Sequence, residues 1–293
     1  MSNGVVELSS ELEEPDRPVQ PAAVRGPHHR PELPDQDDCA HLYDRGQLYD
    51  VTRAHVDAEE PSYAAEVPRF QRMWADHLHR WPADHQPRTP LQLSPDRDAE
   101  ATAAIARVRE AEPAITADVL TVEQQNTCAA RLEGIDHRLK GEPRLKEKLS
   151  LATATSPDAT PADILREIPD AIRYTFCLQS EKYAKGYHEI KEHLEGFGYE
   201  MYQSKNFWGD QEYKGINTRW TTAEGQRFEV QLHTPESFHA KQHVTHAAYE
   251  RLRNPHASDL ERGELEAFQR EVSSRVQAPD GASDIPNFKK EGL

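Results

Sequence analysis

The chain has 293 residues, a formal net charge of −16 at pH 7 and 36% hydrophobic residues. So acidic a sequence lacks the basic footprint of a general nucleic-acid binder, and its low apolar share places part of the length outside any core. Its cysteines, Cys39, Cys128 and Cys177, stand far apart with no CxxC, which argues against a disulfide framework and against a cysteine zinc site.

Residues 1–60 hold 14 Asp and Glu against 5 Arg and no Lys, and are rich in proline. They are expected to form a disordered, acidic tail. No cleavable-signal pattern and no apolar run of membrane-spanning length is present, so the expectation is a soluble, cytoplasmic protein that does not engage membranes, with non-classical export left open. Residues 61–118 read as a helical extension. "VPRFQRMWADHLHRW" is amphipathic, and "DRDAEATAAIARVREAEP" reads as a helix stopped by Pro113. A further helix is expected to start at Thr121, with Gln124 completing a capping box.

Residues 119–280 read as one α+β domain. "TPADILRE" is a short helix, "AIRYTFCL" a strand, and "EKYAKGYHEIKEHLEGFG" a helix closed by glycine. "YEMYQSKNFW", "YKGINTRWTT" and "RFEVQLHT" are strands, the last two joined by a hairpin. Two helices, "PESFHAKQHVTHAAYERLR" and "ASDLERGELEAFQREVSSRVQ", complete it, and 281–293 is a polar tail. The expected architecture is a mixed, mainly antiparallel sheet flanked by helices. "RFEVQLHT" alternates with period two, as a half-buried strand would. Its other face sets Glu229, Gln231 and His233 in one row.

No GxxxxGK[ST] and no GxGxxG occurs, so phosphate binding would have to come from side chains. Four groups of residues stand out. "RLKGEPRLKEKL" sets Arg138, Lys140, Arg144, Lys146 and Lys148 within eleven residues; such a cluster suits a polyphosphate, or forms a solvated helix face paired with Glu142 and Glu147. Asp170 and Arg173 flank the entry to an apolar strand, where an arginine requires a partner. Tyr213, Gly215 and Asn217 share one strand face that could meet the row of Glu229, Gln231 and His233 across the hairpin. His239, His243 and His246 follow a helical stripe that could ligate zinc, although no HExxH accompanies them.

Together these pieces resemble the synthetase domain of the RelA/SpoT alarmone synthetases, over about Leu120 to Leu252. The family's R-x-K-x-x-x-S-x-x-x-K reads here as Arg138, Lys140, Arg144 and Lys148, its D-x-x-x-I-R as "IPDAIRYTF", and its E-x-Q-x-R-T as "EVQLHT". "KNFW" followed by "YKGIN" stands for its K-D-Y and Y-x-S-x-H, and "HVTHAAYE" for its histidine helix. The variants "IRYT", "YKGIN" and "EVQLHTPESF" look most like those of the actinobacterial nucleotide 3′-pyrophosphokinases and related toxin-type synthetases. Asn206, Asn217, His233 and Arg144 replace the family's aspartate, histidine, arginine and serine.

The resemblance implies a nucleotidyltransferase-like fold and transfer of pyrophosphate from ATP to the 3′-hydroxyl of a purine nucleotide. It implies Glu229 and Asp170 as catalytic carboxylates that hold Mg²⁺. Arg138, Lys140, Lys148, Arg173 and Lys205 would bind ATP and its phosphates, and Tyr213, Asn217, Gln231 and His233 the acceptor. The implied partners are ATP and a purine nucleotide, with a homo-oligomer or an antitoxin or immunity protein left open. Two other functions are left open as well: an inactive nucleotide-binding module, and a toxin that pyrophosphorylates the 3′ end of tRNA. Because Met1–Asp50 carries little periodic apolar surface, its deletion should leave a cooperative thermal transition, measured by calorimetry; loss of that transition would place the segment in the core.

Overall fold

The computed structural model of the chain describes residues 62–82, 93–254 and 257–291; the acidic stretch expected over 1–60 lies outside them. The expected α+β class is borne out by a six-stranded sheet in the order β1-β2-β5-β4-β3-β6. Its strands are β1 (Arg131–Leu132), β2 (Arg173–Cys177), β3 (Glu200–Asn206), β4 (Ile216–Thr221), β5 (Arg227–His233) and β6 (Phe288–Lys289). β2 and β5 run parallel, and every other neighbouring pair is antiparallel.

The apolar face follows from strand parity. Tyr174 and Phe176 of β2, Phe228, Val230 and Leu232 of β5, and Ile216 and Trp220 of β4 are all buried. Two helices close over this face: α2 (Pro95–Gln125) and α5 (Tyr183–Gly196). Tyr174 reaches Thr116 of α2 at 2.7 Å, and Tyr183 of α5 donates to the Leu232 carbonyl at 2.7 Å. Gly186 lets α5 approach the sheet, since a Cβ there would stand 2.3 Å from Leu178 Cδ2.

One helix differs from the sequence expectation. α2 runs unbroken through Pro113 and past Thr121, so Thr121 is interior and caps nothing. Pro113 sits on the exposed side, as does Arg109, whose carbonyl loses its helical partner to the proline. Water can take that hydrogen bond. Ile105, Val108, Ile115, Val119 and Val122 meanwhile stay in the core on both sides of the proline.

α3 (Glu142–Thr155) and α4 (Pro161–Arg166) pack beside α2, and α1 (Tyr63–Arg80) packs on α8 (Asp259–Ser274). β5 leads into α6 (Pro235–His239), a π-helical turn over Ala240–Val244, and α7 (His246–Leu252). A capping box of Thr234 and Ser237 starts α6. Residues 281–293, read as a polar tail, include β6, which pairs with the edge of β3.

Phe228 is fully buried, with its ring against Tyr199 at 5.0 Å and near Tyr174 and Trp220. Phe228→Ala should therefore cost about 3–5 kcal/mol of unfolding free energy. Chemical denaturation would measure it, and a loss below about 1 kcal/mol would mean that the site collapses freely.

Candidate active site

The second face of the sheet is polar. In the parallel β2–β5 pair, Arg173 is level with Glu229, Thr175 with Gln231 and Cys177 with His233. Across the β4–β5 hairpin, Arg219 is level with Glu229 and Asn217 with Gln231. Lys205 and Gln203 of β3 continue the same rows. Level partners project to one side, so these side chains share a face.

β5 is not half-exposed as its alternation suggests. Glu229, Gln231 and His233 are all buried, because α6 and the π turn cover the polar side. A polar row in such a place needs a partner for each member. Lys241, on the π turn, donates to Gln231 Oε1 at 2.5 Å. Gln231 Nε2 donates to Glu229 Oε1 at 2.7 Å. With a donor-only lysine on its oxygen and a carboxylate on its nitrogen, the Gln231 amide has one sensible orientation.

His233, fully buried, lies within hydrogen-bonding distance of Ser237 Oγ and of the Tyr213 hydroxyl, both at 2.9 Å. Tyr213 donates to Asn217 Oδ1 at 2.9 Å, and its ring meets Phe207 and His233 edge-on. Gly215 passes over the imidazole at φ +151°. A Cβ there would stand 2.9 Å from His233 Cε1 and 3.0 Å from the Leu232 carbonyl oxygen, so only glycine fits without a shift. This end of the row is closed, and its residues hold one another.

The other end holds the charges. Glu229 Oε2 lies 3.8 Å from Arg219 Nε, and Arg219 also donates to Gln203 Oε1 at 2.6 Å. Asp170 sits on a 3₁₀ turn, Pro169–Ala171, just ahead of β2. Lys148 donates to both its oxygens, at 2.7 and 3.0 Å, and Lys140 Nζ lies 3.0 Å away. Backbone bonds from Lys140 N to Ala171 O and from Arg173 N to Arg138 O tie the basic segment to the start of β2. Among the described residues, Arg173 makes no side-chain hydrogen bond and no ion pair within 4 Å.

Burial sets the proton affinities. It pushes the Glu229 carboxyl up, the charge of Asp170 adds to this, and Arg173, Arg219 and Gln231 oppose it. Burial would raise Asp170 too, but Lys148 and Lys140 outweigh it and hold that carboxyl below its usual range. Burial, Lys241 and Arg173 keep His233 neutral by lowering it far below the usual imidazole value. Lys241 is brought down to about 7 by burial and by Arg173, against the pull of Glu229 and Cys177.

The residues singled out from sequence therefore divide. Glu229, Asp170, Arg173, Lys140, Lys148 and Gln231 come together. Lys205 is exposed, on the same face beside Asn217. Tyr213, Asn217 and His233 form the closed end. Arg138 turns away to Glu112 of α2 at 2.5 Å, where Thr116 and Tyr174 complete a buried cluster. Arg144 pairs with Glu147 and with Glu250 of α7, and Lys146 with Asp98 and Glu142. Asn206 clamps the C-terminal segment by donating to the carbonyls of Ala282 and Ile285. The histidine stripe does not assemble as a metal trio: the π turn interrupts its helical spacing, and His239 Nδ1 is engaged by Tyr63 at 2.8 Å. Among the described residues, no group of three or more His, Cys, Asp or Glu is arranged to hold a metal ion.

Sequence reasoning passed over two residues. Arg219 was legible, since it continues the parity of Gly215 and Asn217. Lys241 was not, because a regular helix gives no cue for the π turn that carries it.

No family model and no curated protein matches the chain. Among solved structures, it is similar to the Type VI effector Tas1 in a complex with its immunity protein, at 16% identity and a TM-score of 0.42, over 61% of this chain and 98% of that one. It is also similar to the small alarmone synthetase 1 from Bacillus subtilis bound to its product pppGpp, at 11% identity and a TM-score of 0.37, over 58% of this chain and 88% of that one.

Since the proton affinity of Glu229 is raised in the folded chain, its carboxylate form costs stability. The stability the group lends below the ordinary carboxyl range is lost as pH rises through its raised value. Glu229→Gln should therefore raise the Tm at pH 8 and converge on the wild type near pH 4, followed by thermal unfolding. A lower Tm at pH 8 would mean that the field of Arg173 and Arg219 outweighs burial.

Proposed function

We propose that this chain transfers pyrophosphate from ATP to the 3′-hydroxyl of a purine nucleotide. The observation that supports this best is the setting of Glu229: a buried carboxylate with raised proton affinity, fixed by Gln231, with Arg173 and Arg219 beside it and Asp170 near enough to act on its charge. A carboxylate tuned upward is suited to accept a hydroxyl proton near neutral pH. The surrounding guanidinium and ammonium groups are suited to a polyphosphate.

In this reading the ribose 3′-oxygen attacks the β-phosphorus of ATP. The new O3′–P bond forms as the bond from that phosphorus to the α,β-bridging oxygen breaks. AMP leaves with the bridging oxygen, and the 3′-hydroxyl proton passes to Glu229. Arg173, Arg219, Lys140 and Lys148 would hold phosphate oxygens and offset the charge that shifts onto the leaving group. Asp170 would hold Mg²⁺ in exchange for its lysine contacts, with Glu229 either sharing the ion or taking the proton; both are carboxylates, the hard oxygen donors such an ion takes. The ion would neutralise phosphate charge, and one or two carboxylates with the substrate's own phosphates are a usual ligand set for it.

Glu229→Gln keeps the shape of the side chain and removes its capacity to take a proton. Turnover of β-labelled ATP to 3′-pyrophosphorylated nucleotide should fall about 100-fold or more, with substrate KM changed far less. A variant that turns over at the wild-type rate would remove Glu229 from the mechanism. A wild-type chain that makes no such product with any purine nucleotide, yet binds ATP, would point instead to a nucleotide-binding module.

A further inference from the structure

We propose that Lys241 and Arg173 act together as a binding site for one phosphate group of a polyphosphate substrate. The idea deepens the pyrophosphate-transfer reading, on which it rests for the source of that phosphate, a nucleoside triphosphate.

The geometry rests on a pair of like charges. Arg173 projects from β2 onto the polar face, and Lys241 descends onto the same face from the π turn. Register sets Arg173 level with Glu229, two residues along β5 from the Gln231 that receives Lys241, and the charge of Arg173 lowers the proton affinity of Lys241. Among the described residues, neither has an ion pair within 4 Å. Lys241 uses one of its three donors, on Gln231, and its ammonium stands 5.8 Å from the centre of the Phe238 ring. A guanidinium and an ammonium so placed repel each other, and partial burial takes water from the ammonium. An anion that accepts from both removes the repulsion and supplies the missing hydrogen bonds, and a phosphate group has the charge and the number of oxygens to do so. Lys241 remains partly accessible, so a ligand can reach it. The π turn has the same implication. Such turns re-aim side chains and recur at functional sites, and this one aims Lys241 at the sheet.

The groups facing Lys241 are Arg173 and Cys177 from β2, Glu229, Gln231 and His233 from β5, and the Phe238 ring from α6. Burial holds His233 neutral and pushes the Cys177 thiol up, so neither changes charge between pH 6.5 and 8. Glu229 is the facing carboxylate. An anion bound to Lys241 favours its ammonium form, so binding takes up a proton and tightens as pH falls.

The test is calorimetric titration of the full chain with sodium tripolyphosphate in EDTA, which probes cation-held phosphate without nucleotide, metal or turnover. Lys241→Gln keeps an N–H donor for Gln231 and removes the charge, and Lys241→Met removes both. The thermal transition of each variant reports folding. Lys241→Gln should weaken binding about tenfold or more, the loss expected for one charge-assisted hydrogen bond. The wild type should bind more tightly at pH 6.5 than at pH 8, against the trend of tripolyphosphate's own charge. That preference should vanish in Lys241→Gln. A folded Lys241→Gln or Lys241→Met chain that binds within twofold of wild type overturns the proposal. Tripolyphosphate binding by the pair in a chain that transfers no pyrophosphate would end the transfer reading and leave the site. Transfer by a chain whose Lys241 variants bind normally would do the reverse.

Discussion

The parallel pairing of β2 with β5 is the constraint on which the site depends. Sequence separates these strands by a helix and two other strands, and the sheet then sets them side by side with Arg173 level with Glu229. A slip of one residue would bring the polar row of β5 level with Tyr174 and Phe176 of β2, and apolar side chains to the charges. Phe228, Val230 and Leu232, all fully buried under α2 and α5, forbid that slip. The apolar face therefore determines where the polar face stands, and Glu229 owes its position to the residues on either side of it.

Burial on the polar side has a cost that the side chains meet among themselves. Lys241, Gln231 and Glu229 form one chain of donors and acceptors, and Ser237, His233, Tyr213 and Asn217 form another. A buried polar network is stable only when its members are satisfied. The second chain is satisfied by its own members, which suits a structural role. The first ends in charges: Lys140, Lys148, Arg173, Arg219 and Lys241 stand around Asp170 and Glu229. That local excess of cations lies in a protein of net charge −16, so the site concentrates a positive field that the chain as a whole lacks.

Much of this was legible in the sequence, and what was not has physical reasons. The strands β2 to β5 and helix α5 announce themselves by periodicity, turn residues and β-branched or aromatic content. Strand parity alone placed Glu229, Gln231 and His233 on one face. Parity could not say which end of that face is open, because closure comes from α6 and the π turn, which are tertiary contacts. Pro113 misled because a proline breaks a helix only when the cost of the lost bond is unmet, and here the freed carbonyl is on the exposed side while the buried stripe continues. The basic segment misled in part because spacing shows charge and not direction. Five cations share eleven residues, yet α3 and its approach distribute them among Glu112, Asp170, Glu147, Glu250, Asp98 and Glu142. β1 and β6, at two residues each, are too short to leave a pattern.

The two ends of the β5 row also explain why one strand carries three polar residues with different fates. Toward Cys177 and His233 the sheet runs under α6, and Gly215 lies against the imidazole so closely that no side chain could intervene. Toward Arg173 and Glu229 the sheet also meets the 3₁₀ turn of Asp170 and the basic segment, which bring charge to the face. Gln231 stands between the two regimes. Its amide links Glu229 to Lys241, and thereby couples the carboxylate at the charged end to the turn that covers the closed end. A displacement of the π turn would thus reach Glu229 through one side chain, without any movement of the sheet.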